Sequence, residues 1–289
     1  MDNFRGAVLM VLAMLGFALE DMFIKLLADA VSVGQILLML GVGGSIAFGT
    51  IVLLQGKSLW TGDMMSLPIL LRAAGEMIGT ICFVSAIVLT PISSASAILQ
   101  ATPLVVTLGA ALFLQEPVGW RRWSAILVGL FGVLLIIRPG MDSFEVLSLL
   151  AVAAVFCLAL RDLATRRVPP TISSMQLSFL GFIVIIPSGA GLMVAQGQDI
   201  VVLQSGSWMY FCAALGIGLF AYYAIVAAMR VGEVSFVTPF RYARLLFALV
   251  IGIAVFGESP DALTLIGAAI IVASGIYTVW RERRLAQTG

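Results

Sequence analysis

Ten apolar runs of about twenty residues each set the frame for any fold this chain adopts. A helix rises about 1.5 Å per residue, so roughly 20 apolar residues cross the ~30 Å hydrocarbon core of a bilayer. The runs lie near residues 5–28, 34–54, 69–90, 94–114, 119–138, 144–164, 173–196, 207–229, 234–256 and 261–281. Charge, proline or glycine marks their ends, and most connections are short, so no soluble domain is expected. The least obvious boundary is at Pro91, because residues 69–114 are almost continuously apolar. The segment Thr90-Pro91-Ile92-Ser93-Ser94 nevertheless reads as a turn. Composition agrees with lipid as the solvent. Of 289 residues, 61% are hydrophobic and 11% charged, against about 45–50% and 25% in soluble domains.

Several function classes drop out early. A net charge of +1 gives no case for nucleic acid or an acidic partner. The absence of histidine excludes Ser-His-Asp and Cys-His catalysis and any His-ligated metal. Cys82, Cys157 and Cys212 have no metal-like spacing and read as small packing residues. No G-x-x-x-x-G-K-[ST] loop is present, so the chain is not expected to hydrolyse ATP. Gly216-Ile217-Gly218 and Gly41-Val42-Gly43-Gly44 are apolar helix glycines rather than phosphate loops. Ala28-Asp29-Ala30 resembles a signal-peptidase site, but the preceding run carries Glu20, Asp21 and Lys25 and is read as a retained first span.

Charge placement orients the spans. With ten crossings and both termini cytoplasmic, twelve of the sixteen basic residues fall inside, from Arg5 to Arg284. Only Lys25 and Arg138 fall outside, and Arg241 and Arg244 lie within a span. That is the positive-inside pattern, and nine crossings would break its alternation. Trp60, Trp120, Trp123, Trp208 and Trp280 all sit at span ends or in loops, as amphipathic indoles prefer. Arg161-Asp162 and Arg166-Arg167 are read as cytoplasmic topology signals.

The two halves share a signature. Glu116-Pro117 precedes the fifth span and Glu258-Ser259-Pro260 the tenth. A shift of 143 residues pairs Pro117 with Pro260, Gly132 with Gly275 and Arg138 with Arg281. Five spans separate equivalent points, and five is odd, so the second copy is inverted. Inverted repeats characterise secondary transporters, with the substrate near the midplane between them.

With these features the chain resembles the drug/metabolite transporter superfamily, in its EamA-type branch of ten-helix carriers. The resemblance rests on Ala101-Thr102-Pro103 ahead of Glu116-Pro117, and on Phe256-Gly257-Glu258. It also rests on the small-residue fifth and tenth spans and the closing Tyr277-Thr278-Val279-Trp280-Arg281-Glu282-Arg283-Arg284. It covers the whole chain. It implies an all-α integral membrane fold of ten transmembrane helices in two inverted five-helix repeats, residues 1–139 and 140–289. One departure is visible: where the family places a proline in the ninth span, this chain reads Tyr242-Ala243-Arg244-Leu245.

Ionisable side chains inside a span cost roughly 2.5–3.5 kcal/mol each on insertion scales, so those retained face a partner or a cavity. The first group is Glu20, Asp21 and Lys25. Asp21 and Lys25 are four apart and are expected to pair on one helix face, leaving Glu20 about 100° round. The second is Arg72 and Glu76, within Gly75-Glu76-Met77-Ile78-Gly79, where small residues admit a close neighbouring backbone. The third is Pro239-Phe240-Arg241-Tyr242-Ala243-Arg244. Counted from Val234, Arg244 is about 15 Å deep, near the midplane, and two guanidiniums there need anionic partners. Structural ion pairs are the plain alternative for each group.

Four of five tyrosines, Tyr210, Tyr222, Tyr223 and Tyr242, fall in spans eight and nine, with Phe211, Phe220, Phe236 and Phe240. Rings beside arginines can hold a flat ligand by stacking and cation–π contact; ordinary packing is the alternative. Gln100 and Thr102 add hydrogen-bonding groups in span four.

The resemblance implies alternating access around a cavity lined by spans one to four and six to nine, with five and ten peripheral. A carboxylate such as Glu20 or Glu76 is the candidate carrier of a coupling proton. The acidic pair with Phe240-Arg241-Tyr242 looks similar to branches that take up vitamin- or cofactor-like molecules, riboflavin and S-adenosylmethionine among them. The expected cargo is a small, planar or zwitterionic molecule, riboflavin first and an exported amino acid second. No cofactor and no metal is called for. The location implied is the bacterial inner membrane, and a homodimer is compatible with the sequence. A membrane enzyme fits poorly, because the short loops lack clustered Asp, His or Lys. A membrane sensor would leave the deep arginines without purpose.

Overall fold

The computed structural model describes residues 3–113, 119–138, 145–169, 171–231 and 237–288. Glu116-Pro117, Val234 and Phe236 lie outside the described residues, as do the side chains of Arg121, Arg122, Arg230 and residues 281–288. The described chain is helical, with no strand. Its helices are α1 (Asn3–Leu27), α2 (Val33–Leu54), α3 (Leu67–Leu89), α4 (Ile92–Leu99), α5 (Thr102–Phe113) and α6 (Trp120–Ile137). The second half holds α7 (Ser148–Thr165), α8 (Ser174–Ala195), α9 (Ser205–Val231), α10 (Ala243–Phe256) and α11 (Ala262–Thr288). A 3-10 turn spans Gly62–Met65 and another Thr238–Tyr242.

These elements make ten crossings. Among the described residues, seven stretches are long and apolar enough to cross a membrane, among them Ile92–Phe113, which joins α4 and α5. The fifth and tenth crossings have shorter apolar cores, Trp123–Ile137 and Ala262–Tyr277. The turn expected at Pro91 is present, between Leu89 and Ile92.

Spans four and nine are not single regular helices. Span four breaks at Gln100-Ala101, and span nine enters through the Thr238–Tyr242 turn before α10. The 143-residue shift carries Gln100 onto Ala243, so the two interruptions are equivalent positions of the repeat.

Helix pairing follows the same symmetry. Span one packs on span eight (α1 on α9) and span three on span six (α3 on α7); each pair is the image of the other. Spans two and seven (α2, α8), four and nine (α4, α10), and five and ten (α6, α11) pair with their own images. This is the arrangement expected of two inverted five-helix repeats.

Small residues permit the closest crossings, because van der Waals fit rather than hydrophobicity holds helices together in lipid. A Cβ on Gly132 of α6 would meet the Gly267 carbonyl of α11 at 2.8 Å, and one on Gly267 the Gly132 carbonyl at 2.6 Å. A Cβ on Gly34 of α2 would lie 2.9 Å from the Gly189 carbonyl of α8.

Polar ties close the bundle at both ends. At the end holding the α1 C-terminus, the Gln35 amide exchanges bonds with the backbone of Val201 at 2.6 and 2.9 Å, and Arg138 pairs with Asp261. At the opposite end, Thr171 Oγ1 donates to Asp63 Oδ2 at 2.9 Å and Gln176 Nε2 to the Ser58 carbonyl at 2.8 Å. Gln176 also completes a capping box with Ser173 that starts α8.

Candidate functional site: a charged core between the two repeats

α1 brings Asp21 against Arg244 of α10. Arg244 Nη2 donates to Asp21 Oδ2 at 2.6 Å, and Asp21 is 3% exposed. The same guanidinium lies 5.3 Å from the ring centroids of both Phe17 and Phe83. One arginine therefore joins α1, α3 and α10 through a charge pair and two cation–π contacts.

The pairing expected within α1 is not formed. Asp21 turns to Arg244 because that partner reaches it across the bundle with a charged hydrogen bond. Lys25 is carried to the bundle end instead, where its ammonium donates to the Thr90 carbonyl at 2.6 Å and sits 3.7 Å from Glu258. Glu258 caps α4, accepting from Ile92 N at 2.6 Å, Ser93 N at 3.1 Å and Ser93 Oγ at 2.5 Å. The first repeat is thus tied to the loop before α11 by a carboxylate that meets a helix N-terminus and a lysine together.

Glu20 has no hydrogen bond or ion pair among the described residues. Its carboxyl lies over Gly218 of α9, where a Cβ would fall 2.7 Å from Cδ. The pseudo-symmetric crossing of α3 and α7 holds Gly75, 143 residues before Gly218, and there a Cβ would meet Arg161 N at 2.9 Å. Related crossings thus place a carboxylate over the glycine in one case and the backbone of the facing helix in the other.

Glu76 lies between two arginines. Arg72 Nη2 is 3.5 Å from one of its oxygens, and Arg161 Nη1 donates to the other at 3.1 Å. Arg161 also pairs with Asp162, at 2.8 Å through Nη2 and 2.9 Å through Nε. Arg161-Asp162, read from the sequence as a topology signal, is thus also bonded to the span-three carboxylate. Arg161 reaches Glu76 because α7 crosses α3 closely at Gly75. The expected depth of Glu76 was the only sequence signal for a partner there.

Arg241 lies in the 3-10 turn. Its carbonyl accepts from Gln100 Nε2 at 3.3 Å, which joins the interruptions of spans four and nine. No hydrogen bond or ion pair engages its guanidinium among the described residues; the charges acting on it are Asp162, Arg161 and Arg244. Thr102 Oγ1 is spent on the Leu99 carbonyl at 2.6 Å, within the break.

The aromatic side chains do not converge. Tyr242 is 5% exposed and packs over Gly275 of α11, and its hydroxyl has no partner among the described residues. Tyr222 meets Phe48 edge-on at 5.1 Å, and Tyr210 lies 6.1 Å from Phe23. Tyr223 is 64% exposed and lines a shallow outer groove with Phe48 and Leu219. Phe240 lines another with Phe4, Val8 and Leu12 of α1. The rings beside a deep arginine are Phe17 and Phe83, which composition did not single out because apolar spans are rich in phenylalanine.

Asp21–Arg244 and Arg72–Glu76–Arg161–Asp162 are two bonded clusters; together with Glu20, Gln100 and Arg241 they are termed the polar core. Tyr222, Tyr223, Phe240 and Tyr242 stand outside it. A core of this kind can neutralise a charged cargo, carry a proton on a carboxylate, and bias which end of the bundle opens. No group of three or more metal-ligating side chains occurs among the described residues.

Comparison with known proteins gives consistent matches. A family model described as the EamA-like transporter family matches residues 4–138 and again residues 147–280. A riboflavin transporter of Vibrio cholerae is 34% identical over 68% of this chain and 67% of its own length. An S-adenosylmethionine uptake transporter of Rickettsia felis is 24% identical over 74% of this chain and 72% of its own. A pseudopaline exporter of Pseudomonas aeruginosa is 22% identical over 94% of each chain. A solved crystal structure shares the fold with a TM-score of 0.59, at 19% identity over 95% of this chain and 98% of that one.

Proposed function

This chain belongs to the EamA-like transporter family, and from that premise we propose that it takes up a vitamin- or cofactor-like metabolite by proton-coupled alternating access. As a family member it is a multi-pass inner-membrane secondary transporter rather than an enzyme, and its partners are the bilayer and a small molecule. The finer reading places both termini in the cytoplasm, as the twelve-to-two distribution of basic residues supports.

The observation that carries the reading is the Asp21–Arg244 pair at 2.6 Å, set inside a lipid-embedded core between the repeats. Buried ion pairs contribute little net stability, so their retention points to use. Alternating access is a rocking of the two repeats around that core, and span interruptions at equivalent places supply unwound backbone beside the cargo. Glu76 is held by two arginines and Asp21 by one, which leaves Glu20 as the carboxylate free to take a proton. Cargo follows the relatives: riboflavin is the first candidate, because the Vibrio cholerae transporter is 34% identical. Export of an amino acid or related metabolite is the second reading; its direction is favoured by the exporter match that spans 94% of this chain.

The test is complementation. Expression in a riboflavin-auxotrophic strain lacking its own importer should restore growth on low external vitamin. Failure to restore growth with well-inserted protein removes riboflavin from the reading and leaves the other cofactor-class cargoes to be screened.

A further inference from the structure

Among the described residues, the polar core holds four arginines. Three have their charge answered: Arg72 by Glu76, Arg161 by Glu76 and Asp162, and Arg244 by Asp21. Arg241 does not. The carboxylate acting on it, Asp162, is already bonded twice by Arg161, and the other side chains acting on it are Arg161, Arg244 and the Tyr242 phenol.

Its depth makes this costly. The Arg241 carbonyl is bonded by Gln100, eight residues into the crossing that starts at Ile92. At 1.5 Å per residue that is about 12 Å from one surface of a ~30 Å core. An arginine stays charged there, since its ordinary pKa exceeds about 12. A deep guanidinium with no counter-charge is as unfavourable as a buried pair from which one partner has been removed. The four core carboxylates are Glu20, Asp21, Glu76 and Asp162. With a proton on Glu20, the core carries one surplus positive charge, and the arginine lacking a partner is Arg241.

We infer that Arg241 receives an anionic group, a carboxylate or a phosphate, on the transported molecule. The inference rests on the carrier reading above and narrows it. A planar fork with five donors binds either anion through two parallel hydrogen bonds, which a neutral ring cannot match. Gln100 fixes the backbone from which the fork projects, so the receptor is positioned by the opposite repeat. Within the cofactor class, this favours a phosphorylated or carboxylate-bearing cargo over neutral riboflavin.

The experiment uses purified full-length protein in sealed vesicles with three probes: riboflavin 5′-phosphate, S-adenosylmethionine and riboflavin. The expected result is uptake of at least one anion-bearing probe, competed by millimolar inorganic phosphate. Arg241→Gln should lower its apparent affinity about tenfold or more, the worth of a charged hydrogen bond, and Arg241→Lys should recover part of that. Uptake of riboflavin alone, or equal uptake by Arg241→Gln, overturns the inference and leaves the carrier reading standing. Uptake of no probe by the wild type overturns the cofactor-class cargo as well. Should Arg241→Gln not fold, phosphate competition in the wild type decides: competition supports the receptor and its absence overturns it.

Discussion

Asp21 and Arg244 stand 223 residues apart in sequence and meet at 2.6 Å inside the bundle. The contact binds the first span of one repeat to the ninth span in the other, and Phe17 and Phe83 flank the guanidinium. It is both a structural bond and part of the polar core, and the two roles separate under mutation.

Removing either partner strands a buried charge. Asp21→Asn or Arg244→Ala should each cost about 3–5 kcal/mol, read as a lower melting temperature in detergent. Arg244→Ala is therefore a poor test of transport alone. The double variant Asp21→Asn with Arg244→Met should regain much of the stability and still fail to transport. Equal melting temperatures for the single and double variants would show that the pair is not coupled.

Glu20→Gln should fold normally, since no hydrogen bond or ion pair among the described residues depends on its charge. Exchange of cargo across vesicles should continue, while accumulation against a gradient, and its dependence on external acid, should vanish. Asp21 and Arg244 are the charged groups acting on Glu20, so the Glu20→Gln measurement belongs in an otherwise wild-type core. A variant that still accumulates cargo in response to a proton gradient would move the coupling elsewhere.

Close helix crossings predict a positional glycine effect. Gly132→Val should lower stability by about 1–3 kcal/mol through overpacking, because its first side-chain atom would meet the Gly267 carbonyl at 2.8 Å. A Cβ on Gly191 would meet nothing within 4 Å, so Gly191→Ala should be neutral or raise stability by up to about 1 kcal/mol. Melting temperatures that fail to rank the two in this order would contradict the crossing geometry.

Asp261, outside the spans, supplies a pH signature. The hydrogen bond from Arg138, with bonds to Thr264, holds its carboxyl well below the ordinary carboxylate value of 3.8. A depressed value means the interaction stabilises the fold fully above the unfolded-state value and is lost as pH falls through the folded one. The melting-temperature gap between wild type and Asp261→Asn should be constant from neutrality down to about pH 5. It should shrink as pH falls below about 3.8, where the unfolded chain takes up the proton first, and close only below the lower folded-state value. A gap that opens on acidification would reverse the assignment.

The crossings were legible because lipid leaves one solution for apolar runs of this length, and all ten ranges correspond to helical spans. The Pro91 turn was legible from its residues. Partner choice was not. Sequence spacing offered Lys25 to Asp21 at four residues, but only the fold shows that Arg244 reaches Asp21 and that Glu258 and Thr90 claim Lys25. Arg161 read only as a topology signal because it lies near a span end, and its pairing with Glu76 depends on how closely α7 meets α3 at Gly75. Aromatic enrichment in spans eight and nine did not predict direction, since Tyr223 is exposed beside Phe48 while Tyr242 packs over Gly275.

The most direct measurement is uptake by purified protein in sealed vesicles, without ATP, under an imposed inward proton gradient. A cofactor-class cargo should accumulate above its external concentration and drain when a protonophore is added. Accumulation that ignores the proton gradient, or no movement of any such cargo by folded protein, would contradict proton-coupled carriage.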